Sequence, residues 1–197
     1  MAETSKAFLR RLQDGFFEKY IDGKYGIDIG VGRIDSVHGA DPIKIENCIA
    51  HDRDDCDAHE MSIFNDNEFE FVHASHVLEH MQDPILAIKN WFRITKPNGH
   101  LIIAVPDRDA YERKKTLPSR WNADHKFFLT AYKSEPPNTY SLHWLIQEAL
   151  CGESFQIEYL ITVNTCTNND KPEEHGNGEY CIETVIKKAP KGFLNNH

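Results

Sequence analysis

Short apolar runs closed by glycine or proline alternate along this chain with longer stretches in which apolar residues return every three or four positions. The first kind predicts buried strands and the second amphipathic helices. Residues 6–21 set Phe8, Leu9, Leu12, Phe16, Phe17 and Ile21 at helical spacing, and Gly23 ends that run. Tyr25-Gly26-Ile27-Asp28-Ile29, bounded by Gly30 and Gly32, predicts a buried parallel strand running into a glycine turn. A weaker strand is expected near Cys48-Ile49-Ala50, and a clearer one over Phe69–Ala74. In the latter, Phe71 and His73 share one face and Val72 and Ala74 the other, which reads His73 as structural.

Asp83-Pro84 predicts a helix start, with Asp as N-cap and Pro at the first helical position. Ile85, Leu86, Ile88, Trp91, Phe92 and Ile94 form its apolar side, and Lys96-Pro97-Asn98-Gly99 reads as stop and turn. Asn98 is expected to take the left-handed backbone there. Leu101–Val105, ended by Pro106, predicts another buried strand. Residues 107–138 are polar, aromatic and basic with little periodicity, and read as a long loop or insertion. Leu142, Leu145, Ile146, Ala149 and Leu150 mark a further helix, closed by Gly152. Two strands, about 155–163 and 179–187, complete the chain. This alternation predicts an α/β three-layer sandwich: a mostly parallel sheet, helices on both faces and an antiparallel C-terminal hairpin. One domain is expected over residues 1–197, entered through an N-terminal helix within 1–22.

Composition narrows the function. A net charge of −9 and no basic block longer than Arg113-Lys114-Lys115 argue against a nucleic-acid partner. No apolar run is long enough for a membrane span, and the N-terminus lacks the apolar core of a signal peptide. Cys48, Cys56, Cys151, Cys166 and Cys181 form no CxxC pair and predict reduced thiols in a cytoplasmic protein. The 11 histidines raise the question of a metal, but no two-His helical spacing or 2-His-1-carboxylate pattern is evident, so none is expected. Oligomeric state is not legible: Phe16, Phe17 and the terminal hairpin suit either a core or a partner.

The turn Asp28-Ile29-Gly30-Val31-Gly32 follows a strand, and ligands of open α/β sheets bind beyond the carboxyl ends of strands. Position 35 is Asp, so the third glycine of a dinucleotide fingerprint is missing, and there is no triphosphate loop. Asp28 would repel phosphate and suit a cationic group. Y-G-I-D-I-G-V-G, then D-D-C-D-A-H-E-M, then F-E-F-V-H-A-S-H-V-L-E-H-M, then R-I-T-K-P-N-G-H-L-I-I-A-V-P stand in order over residues 20–106. Together they resemble the consecutive motifs of class I S-adenosylmethionine-dependent methyltransferases, which have a Rossmann-like fold. The resemblance is closest to the type 11-like branch with Ser-His-Val-Leu-Glu-His after the fourth strand. Asn98 stands where that family usually has glycine. The later P-D-R-D-A-Y-E-R and P-S-R-W-N-A-D-H-K are similar to a subgroup linked to saccharide or surface-polymer modification.

The resemblance implies S-adenosylmethionine as cofactor and a set of roles. Asp28, Gly30 and Gly32 would hold the methionine end. Asp52 would accept the ribose hydroxyls, with Asp41 as the alternative. Asp57 and the Ala58 amide would read adenine, and Met61 would pack on its face. Ser75 and His76 would lie near the sulfonium. On the acceptor side, His80, Asp107 and His125 are the candidate bases, since imidazole and carboxylate can take a hydroxyl proton. Each has an equally ordinary reading as a cap or loop-stitching residue. Arg108, Tyr111, Arg120, Trp121, Asn122 and Lys126 would contact an anionic or glycosylated acceptor. The expected reaction is O-methylation of a small acceptor, a saccharide, nucleotide sugar or related metabolite. An inactive cofactor-binding partner subunit and a protein methyltransferase are the alternatives.

Overall fold

The computed structural model describes residues 3–31, 47–165 and 178–190. Helix α1 spans Glu3–Gln13 and α2 Phe16–Tyr20; strands β1 (Gly26–Ile29), β2 (Cys48–His51) and β3 (Phe69–Ser75) follow. After a 3-10 turn at Leu78–His80 come α3 (Pro84–Ile94) and β4 (Thr95–Pro106). A π-helical turn at Arg108–Glu112, β5 (Phe128–Thr130), β6 (Thr139–Ser141), α4 (Leu142–Ala149), β7 (Phe155–Asn164) and β8 (Tyr180–Lys188) complete the order. Six strands form one sheet in the order β2-β1-β3-β4-β8-β7. The first four are mutually parallel, and β8 runs antiparallel to both β4 and β7. This is the expected mostly parallel α/β sandwich with an antiparallel C-terminal hairpin.

Period-two alternation sorts the strands onto two faces. Ile27, Ile29, Val72, Ala74, Leu101, Ile103 and Ile182 meet Ile88, Trp91 and Leu145 of α3 and α4. Phe71, Ile102 and Val185 meet Phe16, Phe17, Tyr20 and Ile21 on the other face. Asp83 caps α3 as expected, its side chain accepting from the Leu86 amide ahead of Pro84. Fully buried Trp91 donates its indole N–H to the Ala58 carbonyl at 2.8 Å. Arg93 donates to the Phe64, Glu60 and Met61 carbonyls, so α3 fixes the otherwise irregular segment 57–66.

Three expectations need correction. The N-terminal helix is interrupted at Gly15, whose φ of 66° is left-handed, well before Gly23. Phe16, Phe17 and Ile21 are buried, whereas Phe8, Leu9 and Leu12 are exposed, so the six residues do not share one packed face. Residues 96–99 do not separate a helix from a strand. Phe69 pairs with Thr95 and Phe71 with His100, so Lys96–Gly99 bulges out inside β4. Asn98 takes φ 65° there, as expected. A Cβ on Gly99 would lie 2.6 Å from the Glu70 carbonyl oxygen, so no side chain fits. Finally, residues 107–138 are not a bare loop: they hold the π-helical turn and β5, which pairs in parallel with β6.

A chain of buried charges crosses the α1-facing side of the sheet. Arg11 donates from Nε to Glu183 Oε2 at 2.8 Å and contacts His73 Nε2 at 3.0 Å through Nη1. His73 Nδ1 lies 2.6 Å from Asp28 Oδ1. Guanidinium only donates, so His73 Nε2 accepts and its proton sits on Nδ1, facing Asp28. Arg10 donates to both Glu179 and Glu183, and the Tyr159 hydroxyl donates to Glu183 at 2.7 Å.

Burial pushes the Glu183 carboxyl up, but the Arg11 charge and the hydrogen bonds from Arg10 and Tyr159 outweigh it and hold the group at about 2. Its ordinary value is 4.5, so this stabilisation is complete above that pH and is lost as pH falls toward about 2. Glu183→Gln is expected to cost about 3–5 kcal/mol at neutral pH by leaving buried guanidinium groups underpaired. The thermal midpoint, followed by circular dichroism, should fall by about 6–20 °C. The variant should also lose less stability than the parent on acidification through that window. An unchanged midpoint would remove the charge chain from the account of stability.

Candidate active site

Parallel strands share a direction, and here their carboxyl ends form one edge. Gly30 follows β1, Asp52 follows β2, Ser75 closes β3 and Asp107 follows β4. Gly30 has φ 78°, and a Cβ there would approach Val77 Cγ2 to 2.3 Å, so both backbone and space call for glycine. Gly32 and Asp41 lie outside the described residues. Asp52 stands directly after β2, partly exposed, its Oδ1 accepting from the Arg53 amide. Asp57 is exposed, and its Oδ1 accepts from the amide of His59 and meets that residue's Nδ1, both at 2.8 Å. Those two contacts hold the Asp57 carboxyl below its ordinary range. His59 Nε2 in turn accepts from the Gln82 and Asp83 amides, tying Asp57 to the start of α3.

Asp28, at the same edge, is buried and turned inward on His73, with Oδ1 already engaged. His76 has φ 57° and donates its amide to the Ala104 carbonyl, a tight exit from β3. Met61 is corrected: it is fully enclosed in the α3-side core and presents no atom to an adenine face.

The residues expected on the acceptor side converge on the turn after β3. Glu79 is buried, and neither carboxylate oxygen has a hydrogen-bond partner among the described residues. His80 Nε2 and His125 Nε2 each stand 3.9 Å from Glu79 Oε1. The two imidazoles meet edge to face with centroids 4.9 Å apart. Each ring is held from behind: His80 Nδ1 is 3.1 Å from Asp124 Oδ2, and His125 Nδ1 is 2.9 Å from Glu112 Oε1. The Lys126 amide donates to the Glu79 carbonyl, which pins the 119–126 loop to this turn. Glu112 also accepts from the Ser119 hydroxyl and the Arg120 amide. Burial pushes the Glu112 carboxyl up, but those three partners hold it below its ordinary range. Tyr111 stacks on His125 at 6.1 Å, and its carbonyl accepts the Trp121 indole N–H.

The remaining acceptor-side residues divide. Asp107 is buried and caps the π-helical turn, Oδ1 accepting from the Asp109 and Ala110 amides; burial raises its carboxyl. It takes the capping role and not that of a base. Arg108 is also corrected, because it is buried and bonded to Asp109 and Glu135 rather than turned to a ligand. Arg120 and Asn122 are exposed, and Trp121 and Lys126 are partly exposed. Arg120 lies over the Trp121 ring, and Lys126 pairs with Asp124. Glu79 and Glu112 were missed in the sequence. Glu79 had one signal, an acid in an apolar Val-Leu step flanked by His76 and His80. Glu112 sits among many loop charges and had none. The assembled His80, His125 and Glu79 group has no linear spacing to reveal it.

A family model described as a methyltransferase domain matches residues 7–149. A search of curated proteins finds no sequence match. Among solved structures, one from Thermotoga maritima superposes with a TM-score of 0.55 at 20% identity, covering 96% of this chain and 100% of that one. It is described as an S-adenosylmethionine-dependent methyltransferase, possible histamine N-methyltransferase. A second, from Mesorhizobium loti, gives 0.55 at 10% identity over 94% and 98%. A third, from Methanosarcina mazei, gives 0.52 at 15% identity over 88% and 97%. Both are described as S-adenosylmethionine-dependent methyltransferases.

Glu112→Ala would leave the Ser119 hydroxyl, the Arg120 amide and the His125 ring without their acceptor. Each such loss costs about 1–3 kcal/mol when buried. Amide exchange across 119–126 is therefore expected to accelerate, while β3 and β4 keep their protection. Unchanged exchange in that loop would show that Glu112 does not hold it.

Proposed function

The chain belongs to the methyltransferase domain family, and on that premise we propose that it methylates a hydroxyl of a small polar acceptor, a saccharide or nucleotide sugar. It is an S-adenosylmethionine-dependent methyltransferase. The cofactor fits the residues at the strand ends by donor and acceptor chemistry. Its ammonium, ribose diol and adenine amine all donate, and Asp28, Asp52 and Asp57 are carboxylates spaced along that edge. Asp28 would act through its second oxygen, Asp52 at the ribose and Asp57 with the Ala58 amide at adenine. Gly30 leaves backbone room beside them, and Ser75 and His76 stand between them and the acceptor side.

Bound there, the cofactor supplies an already electrophilic sulfonium methyl. The protein's task is alignment and removal of the acceptor proton. The chain's own residues would hold the acceptor hydroxyl in line with that methyl and take up its proton. The observation that carries this reading is the imidazole pair over buried Glu79, backed by Asp124 and Glu112. His80, half-buried, is the member open to an acceptor, and His125 lies behind it. Trp121 and Tyr111 supply aromatic faces for a sugar ring, with Arg120, Asn122 and Lys126 at the rim. The acidic net charge suits such an acceptor better than nucleic acid.

Titration calorimetry with S-adenosylhomocysteine should show micromolar binding, and NAD none. Asp57→Ala is expected to weaken that binding by about 1–3 kcal/mol through loss of the adenine contact. Unchanged affinity would move that contact elsewhere. His80→Ala and His125→Ala should keep cofactor binding and lose about 100- to 10,000-fold in turnover on sugars or nucleotide sugars carrying a free hydroxyl. Full turnover in both variants would remove them from proton transfer. Cofactor binding without methylation of any saccharide in the screen would overturn the acceptor class.

A further inference from the structure

We propose that Glu79, His80 and His125 form a binding site for one borderline divalent cation of the zinc class. The three ligand atoms lie within 4.8 Å of one another. Both Nε2 atoms stand 3.9 Å from the same oxygen, Glu79 Oε1. That gap is too long for a direct hydrogen bond. It is close to the separation that one shared ion imposes, because bonds of about 2.0–2.2 Å in tetrahedral geometry hold ligand atoms about 3.4 Å apart. Closing the site takes a contraction of about 0.5 Å on each carboxylate–imidazole edge, with the ligand atoms starting within 4.8 Å of one another.

The second observation is independent. Glu79 is 2% exposed, and both its oxygens are without a hydrogen-bond partner among the described residues. A carboxylate costs free energy in that position unless something positive meets it. His76 Nδ1 approaches the same oxygen to 3.6 Å, so three imidazoles surround the carboxylate but none hydrogen-bonds to it.

The third observation concerns the rings. Metal-ligating imidazoles usually give their other nitrogen to a carboxylate, which fixes tautomer and direction. Here Asp124 takes His80 Nδ1 and Glu112 takes His125 Nδ1, so the two Nε2 atoms are left facing Glu79. Two imidazoles and one carboxylate favour zinc, cobalt, iron(II) or nickel over magnesium and calcium, which prefer oxygen ligands alone. With three protein ligands, at least one position stays open for an oxygen ligand, on the side where His80 is partly exposed. The site stands on this geometry alone. With an ion on both Nε2 atoms the rings themselves no longer take the proton; the ion instead would lower the pKa of a bound acceptor hydroxyl, which then loses its proton to solvent, a role that rests on the methyl transfer proposed above.

The test is titration of the whole chain with cobalt(II), read by visible absorption, and with zinc(II) in competition with a chromophoric chelator. Binding of one equivalent is expected. His125→Ala and Glu79→Gln should abolish that equivalent. Asp124 lies on the surface, so Asp124→Asn keeps the fold and should weaken the site by about 10- to 100-fold. S-adenosylhomocysteine binding, measured on the same samples, reports the fold and the cofactor reading separately. If the parent chain binds that ligand but neither metal, the metal site is wrong and the methyltransferase reading stands. If metal binds but Glu79→Gln and Asp124→Asn change nothing, the ion is held by other histidines and the inference falls.

Discussion

Much of the structure depends on a guanidinium buried against the polar residues that the sheet carries among Phe71, Ile102 and Val185. Arg11 reaches from α1 to Glu183 on β8 and to His73 on β3, and through His73 it touches Asp28 on β1. A short two-part helix has little intrinsic stability of its own. These charge-assisted bonds, with Phe16, Phe17 and Tyr20 packed beside them, are what hold it on the sheet. The same chain orients Asp28. A carboxylate beside a glycine turn can rotate toward solvent, but the proton on His73 Nδ1 fixes one of its oxygens. The N-terminal helix thus sets the geometry of the strand end where the cofactor's methionine portion is proposed to lie.

A parallel logic governs the opposite side of the turn after β3. The loop from 119 to 126 has no hydrophobic periodicity, and polar and ring contacts order it. Glu112 collects Ser119, Arg120 and His125, and the Glu79 carbonyl accepts from Lys126. Buried carboxylates therefore do two different things here. Glu112 is fully met by donors and acts as a clasp. Glu79 is equally buried and unmet. The contrast between two acids in one small region is more informative than either alone. A fold that satisfies Glu112 so completely shows that burial does not by itself leave a carboxylate stranded.

The elements most legible in the sequence were those set by local chemistry or by simple periodicity. Asp83 with Pro84 marked the start of α3, and the Leu101–Val105 run marked the core of β4. Asn98 kept its left-handed turn. The errors came where tertiary contact overrode local signal. Gly15 sat within a plausible helical face, but it takes φ 66° where the chain turns, and Phe16 and Phe17 beyond it pack on the sheet. Met61 read as a free apolar residue next to an adenine-binding acid, but Arg93 draws its carbonyl in and the core encloses its side chain. Arg108 read as a phosphate fork, yet Asp109 and Glu135 neutralise it. Charge type was readable from composition, whereas charge pairing was not.

The cluster at Glu79 shows why that last distinction matters for function. His80 and His125 are 45 positions apart in sequence, so no spacing rule links them. They meet because β3 ends in a tight 3-10 turn that carries Glu79 and His80, and because the Asp124–Lys126 segment folds back onto that turn. Asp124 is exposed and meets both the His80 ring and the Lys126 ammonium, while Glu112 is buried and holds the His125 ring together with the loop backbone. The two imidazoles therefore differ in freedom. His125 is locked, and His80 can adjust at the opening. A site with one fixed and one adjustable ring over a buried carboxylate can keep its interior geometry while accommodating what enters from outside. That asymmetry, more than the presence of any single histidine, is what supports the proposal that this corner of the sheet handles an acceptor's proton.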